Sequence, residues 1–130
     1  MKKVLSFVLV FAIVLGSCSL ADTLAFTSKT GMYAPTTLTK ENSTGSNASI
    51  TVSANAGGHS MYYQVRKPNG VEASNYHNTK KTGTFSVSYK TDGYGESMGR
   101  YGYSYVLRVA HRKQCTCSGG SATVTVSFVP

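Results

Sequence analysis

The residues richest in chemistry lie in the stretch HRKQCTCSGG, residues 111–120. Cys115 and Cys117 stand one residue apart, and His111 precedes the first by four. Such residues can coordinate a metal, exchange electrons as thiols or close a disulfide. Structural zinc takes about four ligands, normally as two separated pairs. This chain offers one pair, and His59 or His77 would have to arrive from elsewhere in the fold, so no metal site is expected. Redox catalysis normally uses Cys-x-x-Cys at a helix start, where the dipole lowers a thiol pKa. The spacing here is shorter, and the setting is a strand running into a turn. A disulfide remains. Residues i and i+2 of an extended strand lie about 6.5 Å apart at Cα, which is inside the disulfide limit and near its upper end. Gly119 and Gly120 follow and let the chain turn. Cys115 and Cys117 are therefore disulfide candidates at a hairpin tip, with two free thiols as the alternative.

Acid–base chemistry finds little material. The chain carries five acids, and Asp92 and Glu96 are the pair closest in sequence. Both sit in a glycine-rich stretch with no apolar surroundings to raise one pKa. Gly95-Glu96-Ser97-Met98-Gly99 has the Gly-x-Ser-x-Gly spacing, but there is no helix to carry a nucleophile elbow or paired zinc-binding histidines. No catalytic residue and no cofactor are expected.

Binding chemistry is better represented. The stretch TDGYGESMGRYGY, 91–103, interleaves Tyr94, Tyr101 and Tyr103 with Arg100. Tyrosine rings can lie against sugar faces, and a guanidinium can hold a phosphate or carboxylate with two donors. Arg108 and Arg112 fall on one side of a strand, with Lys113 beside them. They form a basic stripe suited to an anionic surface. The binding candidates are Tyr94, Arg100, Tyr101, Arg108, Arg112 and Lys113.

The chain opens MKKVLSFVLVFAIVLGSCSLADT. Two lysines, an apolar run from Val4 to Leu15 and small residues beyond are the order of a secretory signal. The run is too short to span a bilayer, which needs about 20 residues. A cut after Ala21 defines a signal peptide, 1–21, and a single domain, 22–130. It removes Lys2 and Lys3 and takes the formal charge from +8 to +6. Leu15-Gly16-Ser17-Cys18 also resembles the lipobox of bacterial lipoproteins. On that reading Cys18 carries lipid, and the protein is anchored at the cell surface.

The elements that must position these residues are strands. GTFSVSYK, 83–90, SMYYQVRK, 60–67, and SATVTVSFV, 121–129, alternate apolar and polar residues, as half-buried strands do. ASITVSA, 48–54, and YGYSYVLRVAHR, 101–112, do the same. Weaker strands cover 23–28 and 36–40. In 60–67 the alternation sets Met61, Tyr63 and Val65 on one face and Tyr62, Gln64 and Arg66 on the other. Six to seven short strands with polar turns predict a small antiparallel β-sandwich, Ig-like or jelly-roll-like, after the cleaved signal helix.

The expected function is that of a secreted or cell-surface, non-enzymatic binding protein of a bacterium. It would contact an anionic wall polymer, a glycan or a protein partner. Export argues against nucleic acid. The alternatives are an antimicrobial or toxin-like protein acting on target-cell envelopes, and a lipid-anchored surface protein. A membrane enters only in those two cases. The sequence carries no signal for oligomeric state.

Overall fold

A computed structural model describes residues 21–26, 32–111 and 122–130. The expected signal segment with Cys18, the disulfide candidates Cys115 and Cys117, and Arg112 and Lys113 all lie outside these described residues.

Eight strands are present where six to seven were expected: β1 (Asp22–Phe26), β2 (Met32–Thr39), β3 (Ala48–Ala56), β4 (Met61–Arg66), β5 (Glu72–Thr79), β6 (Gly83–Val87), β7 (Ser104–His111) and β8 (Ala122–Val129). They form two four-stranded sheets, in the orders β1-β8-β3-β6 and β2-β7-β4-β5, with every pairing antiparallel. No helix occurs among the described residues. The inward faces are those that alternation selects. Leu24, Ile50, Val52, Val124, Val126 and Phe128 from the first sheet meet Met61, Tyr63, Val65, Tyr105, Leu107 and Val109 from the second in one buried cluster. A sandwich-like arrangement of two sheets around a shared core follows.

Ala54 breaks the alternation of 48–54 and is exposed. The β3–β8 register shifts between Val52 and Ala54, and the extra residue turns Ala54 outward.

The strand that alternation misses altogether is β5. Among the eight strands it pairs with β4 alone and forms an edge of its sheet, where a single bridge joins Ser74 to Tyr89. Its register slips between Gln64–Tyr76 and Arg66–Glu72, so Ala73 and the polar Ser74 are both buried. Side chains repair the ladder there. The Val65 N–H donates to Ser74 Oγ at 2.9 Å, Ser74 Oγ donates to Asn75 O at 2.6 Å, and Gln64 Nε2 donates to Ser74 O at 3.1 Å. Ser74→Ala leaves a buried Val65 N–H without its acceptor. It is expected to cost about 1–3 kcal/mol, measured as a shifted urea midpoint at unchanged slope. An unchanged midpoint would show that the hydroxyl is dispensable.

The glycine-rich stretch 91–103 is pinned from below. Tyr105 Oη donates to Met98 O at 2.6 Å and accepts from the Arg100 N–H at 2.8 Å. The Tyr89 ring lies against Gly99, where a Cβ would come within 2.2 Å of it. Lys40, fully buried, sits 5.0 Å from the Tyr89 ring centroid. Its ammonium donates to Ser46 O at 3.0 Å, Ser46 Oγ at 2.9 Å, Pro130 O at 3.2 Å and Asn42 Oδ1. The 40–47 loop, the 97–103 loop and the end of β8 are thereby tied together.

Candidate functional site

The outward face of β2-β7-β4-β5 carries a groove of about 610 Å³. Strand alternation builds it. Register sets Tyr33, Arg108, Gln64 and Tyr76 in one row across all four strands. Ala110, Tyr62 and Asn78 form the row on one side, and Val106, Arg66 and Glu72 the row on the other. Lys90 completes the wall. Tyr33 rises from the edge strand, and its hydroxyl lies beside Gly70, where a Cβ would be 3.6 Å away.

Two aromatic rings define one end. Tyr62 and Tyr76 are diagonal neighbours on β4 and β5, with centroids 5.1 Å apart and planes at 89°. Such an edge-to-face pair holds both rings in place. Tyr76 remains 64% exposed, so a ring face is open to solvent.

The charges are arranged unequally. Glu72 takes Arg66 Nη2 at 2.9 Å and Lys90 Nζ at 2.6 Å. Arg66 is held further, its Nε donating to Gln64 Oε1 at 2.9 Å and its Nη1 to Gly70 O at 3.1 Å. The hydrogen bond from Lys90, the charges of Lys90 and Arg66, and a contact to Gln64 together hold the Glu72 carboxyl below the usual carboxylate range, outweighing its partial desolvation. The groove therefore keeps three cations and one anion at neutral and mildly acid pH. Arg108, half-buried in the groove floor, has no carboxylate partner among the described residues.

No family model matches the chain, and no curated protein or solved structure matches it either. The site is therefore read from its geometry alone.

Of the residues singled out from the sequence, Arg108 lies in this groove, and Tyr94, Arg100 and Tyr101 do not line it. Tyr94 and Tyr101 are 94% and 65% exposed on the pinned loop. Arg100 is occupied, donating from Nη2 to Asp92 Oδ2 at 2.9 Å and from Nε to Ser97 O at 3.3 Å. The other Asp92 oxygen accepts the Tyr94 N–H at 2.9 Å and the Glu96 N–H at 3.0 Å. Those two backbone donors first, and Arg100 after them, hold its carboxyl low. Both Asp92 oxygens thus serve loop structure, closing the turn that carries Glu96.

The histidines separate. His77 stacks on Phe85 at 4.1 Å, and His59 lies 5.1 Å from His111, centroid to centroid. No cluster of three or more metal-ligating side chains occurs among the described residues.

Sequence reasoning did not single out Tyr62, Gln64, Arg66, Glu72, Tyr76 and Lys90. The alternation of β4 already put Tyr62, Gln64 and Arg66 on one wet face, and Arg108 on the wet face of its own strand. The missing information was that β4 and β7 are neighbours.

Proposed function

We propose that this chain is an exported, non-enzymatic binding protein that holds an anionic wall polymer or acidic glycan in the groove of the β2-β7-β4-β5 sheet. The observation that carries the reading is Arg108, a cation on the groove floor beside two tyrosines with no carboxylate among the described residues to neutralise it. A cation left in that state favours an external anion. The signal-like N-terminus and the basic balance of the chain support export towards a polyanionic surface. The strand orders favour the jelly-roll form of the sandwich over the Ig-like form, since β1 pairs with β8, β2 with β7, β3 with β6 and β4 with β5. Lectin domains use that architecture, but a fold alone does not assign a function, and the groove carries the weight here.

The test is a pull-down of purified protein on isolated bacterial cell wall across a salt series. Bound protein is expected to fall steeply as salt rises, and Arg108→Gln is expected to weaken binding about tenfold, the loss of one charge-assisted contact. Salt-insensitive binding that Arg108→Gln leaves unchanged would overturn the reading.

A further inference from the structure

The groove places two recognition elements at a fixed separation. Arg108 on β7 and Tyr76 on β5 share one row, with Gln64 of β4 between them. Two inter-strand steps put their backbones roughly 10 Å apart, and both side chains line the groove. Gln64 fills the floor between them. Its amide is spent on Arg66 and Ser74 O, so it offers a flat, satisfied surface and no competing charge. Glu72 binds both Arg66 and Lys90, which leaves Arg108, among the described residues of the groove, as the cation open to a ligand. Tyr62 braces the Tyr76 ring edge-to-face and fixes its plane.

An anion alone would need only Arg108. The braced, open tyrosine ring adds a platform for the C–H face of a sugar. From this juxtaposition we infer that the ligand is a pyranose bearing an acidic substituent, its ring stacked on Tyr76 and its carboxylate or phosphate held by Arg108. The inference rests on the binding reading above and narrows it, setting acidic sugars apart from ringless polyol phosphates and from neutral glycans.

Isothermal titration of the purified protein tests it with four probes: tetragalacturonic acid, its carboxyl-reduced neutral counterpart, glucose 6-phosphate and a glycerol-phosphate oligomer. The two acidic sugars distinguish carboxylate from phosphate, and binding of either one supports the inference. The neutral oligosaccharide and the ringless oligomer are expected to bind at least tenfold more weakly than the better acidic sugar. Tyr76→Ala and Arg108→Gln are each expected to lower affinity for that sugar at least tenfold, and Tyr76→Phe, which keeps the ring, restores it. Thermal melts within a few degrees of the parent establish that each variant is folded. If Arg108→Gln abolishes binding while Tyr76→Ala leaves it unchanged, or if the glycerol-phosphate oligomer binds as well as the sugars, the pyranose inference fails and the anion-binding reading stands. Loss of affinity on Tyr76→Ala alone removes the acidic requirement and overturns the inference. If no probe binds, or neither variant alters binding, both readings fall.

Discussion

Lys40→Ala is expected to destabilise the domain by about 3–4 kcal/mol. Two effects add. Truncating a fully buried long side chain leaves a cavity, which typically costs about 2–5 kcal/mol for apolar residues of similar size. The substitution also strips the donor from Ser46 O, Ser46 Oγ, Pro130 O and Asn42 Oδ1, groups that water reaches poorly once the loops close over them. One effect works the other way. Burial pushes the Lys40 ammonium below its ordinary pKa, so the charged form already carries a desolvation cost that alanine removes. Four oxygen acceptors and the Tyr89 ring outweigh that cost while the shell is intact. For a domain of this size the loss corresponds to a fall in Tm of roughly 10–15 °C. Calorimetry of the variant decides the matter, and a Tm within 3 °C of the parent would mean that the ammonium contributes nothing net.

The second large effect is alkaline unfolding. Burial pushes the Tyr63 phenol from 10.0 up to about 12 and the Tyr89 phenol higher still. Tyr105 is also raised, chiefly by burial, despite the Arg100 N–H that favours its ionised form. Between pH 10 and 12 the unfolded chain releases protons that the folded chain keeps. The stabilising contribution is therefore complete below pH 10 and is lost as pH rises towards 12. Tyr63 alone accounts for about 3 kcal/mol of that loss. Lys40 acts with the opposite sign, since its lowered pKa makes folding more favourable as pH climbs to 10.5, where its contribution is complete. Above 10.5 the phenols act unopposed. With total stabilities of about 5–15 kcal/mol, the domain is expected to unfold cooperatively near pH 11–12. Tyrosinate absorbance should show the Tyr63, Tyr89 and Tyr105 phenols appearing together with loss of the far-ultraviolet strand signal. Tyr63→Phe sharpens the test. The Tyr63 hydroxyl is buried and has no hydrogen-bond partner among the described residues, so the variant should be as stable as the parent at pH 7 and more resistant at pH 11. A parent that keeps its melting temperature at pH 11.5 would refute the account.

These buried phenols also mark how far the sequence could be read. Tyr63 and Tyr105 are placed inward by simple alternation, because β4 and β7 are central strands with a large residue at every inward position. The edge strands resisted the same reading for physical reasons. β5 turns Ala73 and His77 inward and buries a serine at a bulge, so no apolar period exists to be found. β2 carries Pro35 within a register shift between Tyr33 and Thr37, a place where an edge strand tolerates a residue without an N–H. Its first half therefore reads as loop, and only 36–40 suggests a strand. The site was legible in the same uneven way. Arg108 was picked from its wet face, and Tyr62, Gln64 and Arg66 were on the right face of the right strand. Tyr76 stayed hidden because β5 did. The link between Glu72 and Lys90 spans 18 residues and depends on β5 being present. The tyrosines of the 91–103 stretch, Tyr94, Tyr101 and Tyr103, are exposed, and the pin beneath them, the Tyr105 hydroxyl, lies on the next strand, where alternation alone does not point to it.

The place of β8 between β1 and β3 bears on when the chain can become a folded body at all. β1 and β3 have no pairing with each other; each is joined to the first sheet through β8. A chain made as far as residue 111 holds both neighbours and lacks the strand that unites them, so the first sheet and its half of the core cannot assemble. Pairings this distant in sequence also make folding slow, on the order of milliseconds to seconds. The order of strands thus works as a timer. The first sheet closes only once its last described strand, β8, is present.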